Sequence, residues 1–509
     1  MGTSAVVEHA GARKVVRASA TFALISLLAY LLSFVKSLVV ARYFGTSAQL
    51  DAFTLAVLIP NLVGSLLTGG FAISLVPSLA SAELKTGFER ANTFRAGLLL
   101  SSVIACIPAL LLATFATSVM ILVAPKLAPA QQMLAATLLR LCAPILPLTS
   151  VYAYCSAELL SRKKYVVVAA APIITTAISI ATILLFPFLG VGALAIGLAL
   201  GMFFQALTVA LPAWFANKLP TSLRWWSDGV KELARQQMPL LLISTFGVAN
   251  ISVDQFMAGL LPSGSAAALS FASNLNTVVT QVVVMAASWV ILPELSKLAA
   301  EHDFAALKRR VQENISGVAL VAIPVAIGIL VFGGPTVRLL FQHGQFDSNS
   351  TYQVSRIWIG YTIGLVPFAF GMIPVRLLNA LKENHFLVRV GLTALIVNAV
   401  LDYILMRLLG PVGISVSTSL VYVCTSILVF RFIRKPMPGV LERSLLITIF
   451  RALLVCVPLG ATLAFFRHLL TGTIGLLIGY LIFSGGVLAL YYWAGVFHIF
   501  RSFRATATA

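Results

Sequence analysis

Fourteen stretches of about 20 consecutive apolar residues follow one another from near Ala18 to near Phe497, and no other feature restricts the fold of this chain as strongly. They centre near Leu28, Leu62, Leu110, Leu148, Ile178, Phe203, Phe246, Val284, Ala326, Leu365, Val397, Val421, Val455 and Ile482. A helix rising about 1.5 Å per residue needs roughly 20 residues to cross a hydrocarbon core about 30 Å thick. Strands of a membrane barrel would alternate apolar and polar residues, whereas these runs are continuously apolar. Composition agrees: 60% of the 509 residues are hydrophobic and 10% charged, against about 45–50% and about 25% in soluble domains. The expected fold is an all-α polytopic membrane protein of about 14 transmembrane helices.

The net charge of +19 would suggest nucleic acid in a soluble protein, but its placement gives it another meaning. Alternate connections hold 25 basic residues, among them Arg13, Lys14 and Arg17, Lys85, Arg90 and Arg95, Arg162 to Lys164, Lys308 to Arg310, and Arg431, Arg434 and Lys435. The intervening connections hold 5, namely Arg42, Lys126, Arg338, Arg407 and Arg467, or 6 with Arg356. Because positive loops stay in the cytoplasm, both termini are expected there, in a multi-pass protein with no nucleic-acid partner. Met1 to Arg17 is basic, and the run after it is too long for a signal peptide, so it is read as a retained helix. The five cysteines, Cys106, Cys142, Cys155, Cys424 and Cys456, fall inside apolar runs without metal or disulfide spacing and are expected to act as small buried hydrophobes.

The longest polar connection, 217–236, carries Trp225 and Trp226 beside Arg224, Lys231 and Arg235, as a cytoplasmic interfacial linker helix would. It separates an N-lobe of six spans (1–216) from a C-lobe of six (237–436), with two further helices and a cytoplasmic tail in 437–509. Leu189-Gly190-Val191-Gly192 after the fifth run echoes Leu409-Gly410-Pro411-Val412-Gly413 after the eleventh. The echo implies a pseudo-twofold parallel repeat, two lobes about a central cavity; glycines ending helices anywhere would produce the same pattern.

An acid or base within a span costs roughly 2.5–3.5 kcal/mol, so intramembrane charge marks function. Asp254 lies in the seventh run and Asp402 in the eleventh, with Asn398 one turn before Asp402 on the same face, and Thr418 falls about a turn into the twelfth. These oxygens would suit a hard cation such as Na⁺; alternatively each acid is satisfied separately by a helix end or by a base such as Arg407, and spacing leaves both open. Lys36, Arg140, Arg376 and Arg451 interrupt apolar runs, and Asp51 opens the second. A base facing a cavity could hold phosphate or pyrophosphate, while snorkelling towards an interface would explain the same residues. Prolines such as Pro60, Pro108, Pro144, Pro172, Pro324, Pro367 and Pro374 are expected to kink their helices. No P-loop, no His-Glu-x-x-His and no His or Cys cluster at metal spacing is present, so neither enzyme chemistry nor a bound cofactor is expected.

The stretch from Phe34 through Lys36 and Arg42 to Gly45, followed by Leu50-Asp51-Ala52-Phe53 and Pro60-Asn61-Leu62, resembles the MurJ/MviN family. These are the lipid II flippases of a superfamily that also holds polysaccharide flippases and multidrug exporters. Further matches are Leu292-Pro293-Glu294-Leu295-Ser296 and, most specifically, Phe341-Gln342-His343-Gly344-Gln345-Phe346-Asp347, which is similar to the family's Phe-x-x-Gly-x-Phe connection. The resemblance runs from about Thr21 to Arg501. It implies two six-helix lobes plus two helices forming a groove for a lipid tail, and transport of a polyprenyl-pyrophosphate-linked peptidoglycan precursor across the bacterial inner membrane by alternating access. The working unit is expected to be a monomer whose partners are its lipid-linked glycan and membrane lipid.

By the same resemblance Asp254, Asn398, Asp402 and Thr418, with the Ile414 carbonyl, stand where the family binds sodium, which makes Na⁺ the expected coupling ion. Lys36 stands at a cavity arginine, and Asp51 at the family's acid opening the second helix. Other cavity arginines correspond to Tyr30, Gly64, Ser65 and Asn274, an acid to Thr277, and a base to Met372, with Arg376 one turn later. Substrate contacts are therefore expected at Lys36, Asp51, Arg376, Asn274 and Tyr30. The lost positive charge leaves two alternatives to lipid II: another lipid-linked oligosaccharide, such as an O-antigen or exopolysaccharide unit, or the substrate of a multidrug or cation antiporter. A membrane glycosyltransferase would need acids in a sizeable outer loop, and the longest, about Gly333 to Thr351, offers only Asp347.

Overall fold

The computed structural model describes residues 2–69, 71, 75, 79, 87–217, 224–288, 295, 298–381, 383–434, 439, 443–466 and 472–493. Among them are sixteen α-helices, one short 3-10 turn and no strand. The helices are α1 (Gly2–Phe44), α2 (Ala48–Thr68), α3 (Gly87–Thr114), α4 (Ala116–Val123), α5 (Pro129–Cys142), α6 (Ile145–Ser161), α7 (Tyr165–Leu185) and α8 (Gly192–Ala216). They continue with α9 (Asp228–Gly259), α10 (Ser265–Ser288), α11 (Phe304–Phe341), α12 (Ser348–Ala380), α13 (Asn384–Leu409), α14 (Pro411–Ile433), α15 (Arg443–Phe465) and α16 (Gly472–Trp493). Every one of the fourteen expected centres falls inside a helix. Twelve helical segments among the described residues are long and apolar enough to cross a membrane, and the runs near Phe246 and Val284 lie in α9 and α10. Lys85, Lys218, Lys297, Lys382, Lys435, Arg467, Arg501, Arg504 and the Leu292–Ser296 stretch apart from Leu295 lie outside the described residues.

The chain divides into two compact units, Met1–Ala267 and Ala268–Ala509. The division falls later than the polar connection 217–236 because α9 packs on α2 and α3 and so belongs with the first unit. Of that connection, residues 218–223 lie outside the described residues. Residues 224–227 form a turn with exposed Trp225 and Trp226, held by two hydrogen bonds between Asn92 and the Arg224 backbone, and α9 then runs unbroken from Asp228.

In lipid there is little hydrophobic drive between helices, so close approach depends on small residues. Within the first unit Gly97 of α3 lets the fully buried Tyr154 of α6 pass; a Cβ there would lie 2.1 Å from the phenol oxygen. Tyr154 packs against Phe71 and Phe94 and donates to the Thr93 carbonyl. On α8, Gly197 and Gly201 press against Ser179, Thr182 and Thr175 of α7. Large apolar side chains turned outward, such as Leu122 (75% exposed) and Phe215 (78%), are the surface expected to meet lipid. Cys106 and Cys424 are also exposed, contrary to the expectation that all five cysteines are buried, because a span keeps an outer face; all five are free thiols.

At one end of this unit lies a buried ionic cluster. Glu158 of α6 has no exposed side-chain surface and accepts from Arg90 of α3 at 3.2 Å, from Arg162, and from Asn217 Nδ2 at 3.0 Å. Arg95 donates to the Asn217 carbonyl and stacks on Trp214 of α8, 4.1 Å from its ring centre. Three helix ends are tied to one carboxylate.

The second unit pairs α12 with α14 through a seam of glycine and serine. Gly360, Gly364 and Gly371 face Ser415, Ser419 and Ser426; a Cβ on Gly364 would lie 2.6 Å from the Ser419 Cα. The Ser419 hydroxyl donates to the Gly360 carbonyl and accepts from the Gly364 amide, and Ser426 donates to the Pro367 carbonyl. The Phe-x-x-Gly-x-Phe connection joins α11 to α12: Phe341 and Phe346 are buried 5.5 Å apart, and Phe271 of α10 packs on both. Asp347 then caps α12 by accepting from the Ser350 amide at 2.7 Å. Helices α15 and α16 pack on α11, partly through a Thr336–Tyr480 hydrogen bond of 2.8 Å.

Removing one partner of a buried ion cluster leaves uncompensated charge, at a cost of about 3–5 kcal/mol. Glu158→Ala should therefore lower the melting temperature of the purified protein far more than Asp228→Ala, whose carboxylate is exposed beside Lys231. Equal melting curves would show that the ionic cluster does not hold the helix ends together.

Candidate functional site

Arg140 of α5 donates to the Ala113 carbonyl at 3.3 Å and to the Thr117 hydroxyl at 3.1 Å, closing the break between α3 and α4. Arg407 reaches back one turn to the Tyr403 hydroxyl and stacks on its ring, so it is not the counterion of Asp402. Arg451 is exposed on α15.

Lys36 and Arg376 differ. Lys36 is half-buried on α1, which packs along α7, and its ammonium makes no hydrogen bond or ion pair with a described residue. Arg376 is half-buried on α12, its Nε buried without a hydrogen-bond partner among the described residues. Each is a cation within an apolar helix, with no local partner that explains it.

Asp51 has a structural task that sequence did not reveal. It is 3% exposed in the first turn of α2, and its two carboxylate oxygens accept from the Gly264 and Ala267 amides, Oδ1 at 2.7 Å from Ala267. The carboxylate thus caps the start of α10, where orphan amides favour an anion. Gly264 is fixed by the same contact: its φ is +93°, and a Cβ would meet the Thr46 carbonyl at 2.8 Å. Asp51, expected as a headgroup contact, thus also holds a helix end, each of its oxygens accepting one backbone hydrogen bond. Tyr30 on α1 and Asn274 on α10 are exposed.

The expected cation ligands of the second unit do come together. Asn398 and Asp402 are 1% and 0% exposed, and the Asn398 amide donates to Asp402 Oδ2 at 3.1 Å. Helix α14 turns back along α13 at Gly410, with φ +61°, and a Cβ on Gly413 would meet the Leu405 carbonyl. This register sets Ser417, which donates to the Asn398 carbonyl, against the middle of α13, and so brings the Ile414–Thr418 turn beside Asn398 and Asp402. The Thr418 hydroxyl donates to the Ile414 carbonyl at 3.1 Å. An amide oxygen, a carboxylate, a hydroxyl and a carbonyl match the donors of a hard cation. Among the described residues no group of three or more His, Cys, Asp or Glu suits another metal. Asp254 is 7% exposed on α9 of the first unit.

The corresponding hairpin of the first unit, α7 to α8, turns at Gly190 with φ +54°, the same conformation as Gly410. Its facing residues are Ile178, Thr182 and Gly197, and Thr182 donates to its own Ile178 carbonyl. That hairpin offers no carboxylate.

The sequence model of the family described as "Lipid II flippase MurJ" matches residues 40–485. The chain belongs to this family. Relatives include a lipid II flippase MurJ of Burkholderia cenocepacia, 28% identical over 452 residues that cover 83% of this chain and 85% of the relative. A probable lipid II flippase MurJ of Synechocystis is 24% identical over 421 residues, 78% of this chain and 77% of the relative. A solved lipid II flippase MurJ in an inward closed conformation superposes with a TM-score of 0.80 at 20% identity, covering 92% of this chain and 97% of that one. An inward-facing multidrug transporter of the MATE family, in the MOP superfamily, gives 0.69 at 15% identity, covering 82% and 96%. The fold is the one these proteins share, in a multi-pass membrane protein.

Within that family fold, Ser65, expected at a cavity arginine, and Thr277, expected at an acid, carry self-satisfied groups. Ser65 donates to the Leu62 carbonyl at 2.7 Å and Thr277 to the Ser273 carbonyl at 2.8 Å. A hydroxyl bonded to its own helix adds no cation.

Replacing Asp51 leaves two buried amides without acceptors, each costing about 1–3 kcal/mol. Asp51→Ala should lower the melting temperature by several degrees, and Asp51→Asn by less, because one acceptor oxygen survives. A melting temperature equal to wild type for Asp51→Ala would show that the cap is dispensable.

Proposed function

We propose that this chain is a flippase of the bacterial inner membrane that moves a polyprenyl-pyrophosphate-linked glycan, lipid II first among them, from the cytoplasmic to the outer leaflet. The observation that carries this reading is the pair of half-buried cations, Lys36 and Arg376, without described counterions. Within its own unit each would gain the missing negative charge from a phosphate group, Lys36 as a point charge and Arg376 through its planar fork. The polyprenyl tail stays in hydrocarbon while the headgroup crosses, and no covalent bond changes. The names of the relatives point to lipid II, and the excess of basic residues in alternate connections favours cytoplasmic termini.

A second reading, export of a different lipid-linked oligosaccharide, is favoured by one observation. Ser65 and Thr277 bond to their own helices where the family's charged contacts are expected, so the headgroup would meet fewer charges. We further propose that Na⁺ binds at Asn398, Asp402, Ile414 and Thr418, and that its binding biases the conformational cycle. The bias would act through the second hairpin alone, since α7 and α8 lack a carboxylate.

Expression of the wild-type chain should restore growth to a strain depleted of its lipid II flippase. Rescue of an O-antigen flippase mutant in its place would favour the second reading. In a leaflet-accessibility assay Lys36→Ala and Arg376→Ala should each reduce flipping by about tenfold or more, while Lys36→Arg retains it. Normal flipping by both alanine variants would overturn the headgroup assignment. Calorimetric titration with Na⁺ should give saturable heat for wild type and none for Asp402→Ala; an identical response would discard the ion site.

A further inference from the structure

One cavity of the second unit has no part in the reading above. It is an open space of about 1060 Å³ between the end of α11, the start of α12 and the start of α16. Arg338 and Arg356 both line it, with His343, Thr351, Tyr352 and Thr473, and no carboxylate is among its described lining residues. The Arg356 guanidinium is anchored by a 3.1 Å hydrogen bond to the Tyr352 hydroxyl and lies 5.5 Å from the ring centre. Neither arginine forms an ion pair with a described residue. Asp347, the acid nearest in sequence, is engaged in capping α12.

These two arginines belong to the side of the chain where cations are scarce, six in all by sequence. The bias that retains lysine and arginine in the opposite connections gives no reason to keep them here. Arg338, in the last turn of α11, suits the helix dipole. That does not account for Arg356, two turns into α12, turned towards the same space. The first residues of α16, Gly472 and Thr473, add a helix amino end at the rim, which favours a negative ligand. Leu339 and Leu476 make part of the wall apolar. Two cations, a helix amino end, hydroxyls and an apolar wall at the mouth of a span fit an amphiphile with a phosphate head.

We propose that this cavity binds the phosphate headgroup of an anionic membrane phospholipid, which seats α16 against α11 and α12. The inference rests on the chain spanning a membrane, not on what it transports, so its failure would leave the roles of Lys36 and Arg376 untouched. The shared chemistry is a phosphate monoanion or dianion, which a free phosphate or pyrophosphate could also supply.

The test is native mass spectrometry of the full-length protein released from detergent, titrated separately with phosphatidylglycerol, phosphatidylcholine and inorganic pyrophosphate. Wild type should retain phosphatidylglycerol at least about fivefold more tightly than Arg338→Gln/Arg356→Gln, as expected for lost charge-assisted contacts. Phosphatidylcholine retention should be equal in both, and Arg407→Gln/Arg451→Gln should behave as wild type. Either single variant, read in the same way, serves should the double variant not fold. Equal phosphatidylglycerol retention by wild type and the cavity variants would overturn the site. Displacement of phosphatidylglycerol by micromolar pyrophosphate would overturn the lipid assignment and make the ligand a soluble anion.

Discussion

In hydrocarbon every backbone amide, carbonyl and charge must find its partner within the protein. Helices meet most of that demand, and the exceptions show how the rest is met. Where α3 gives way to α4, Arg140 takes up the freed Ala113 carbonyl. Where α10 begins, Asp51 receives two amides. Some hydroxyls within spans return to their own helices, as Thr182 does to Ile178 and Thr362 to Trp358, and others reach a neighbouring helix, as Ser419 does to Gly360. Lys36 and Arg376 have no such local partner among the described residues, and the proposed headgroup role rests on that contrast.

The two glycine-cornered hairpins show how one backbone motif serves two ends. Gly190 and Gly410 share a left-handed conformation that bulkier residues rarely adopt, so the corner is common to both. The linings are not. Asn398 and Asp402 put an amide and a carboxylate where Ile178 and Thr182 put a methyl-bearing side chain and a self-bonded hydroxyl. Gly197 presses directly on Thr182, which fills the space with packing. The buried carboxylate is thus confined to one of the two hairpins.

Much of this could be read from the chain. Continuous apolar runs determine helices because nothing else satisfies their backbone in lipid, and the Asn398–Asp402 pair is adjacent by helical periodicity alone. What stayed hidden depends on contacts distant in sequence. Asp51 caps a helix whose Gly264 amide lies 213 residues away. Glu158 precedes the basic Arg162 by one turn and reads as an ordinary surface pair, yet Arg90 and Asn217 arrive from other helices to bury it. The Phe341–Phe346 motif was recognisable, but its packing on Phe271 was not. The division at Ala267 rather than near 217–236 has the same origin, because polarity marks a connection without saying which neighbours a helix chooses.

The glycine and serine seam between α12 and α14 limits how the second unit can deform. With Ser419 bonded to both Gly360 and Gly364, and Ser426 to Pro367, the two rods have no slack for sliding. They are riveted into a single strut. Whatever swings during a working cycle must therefore do so at looser joints, and Arg376, carried on α12, travels with α14 as one body.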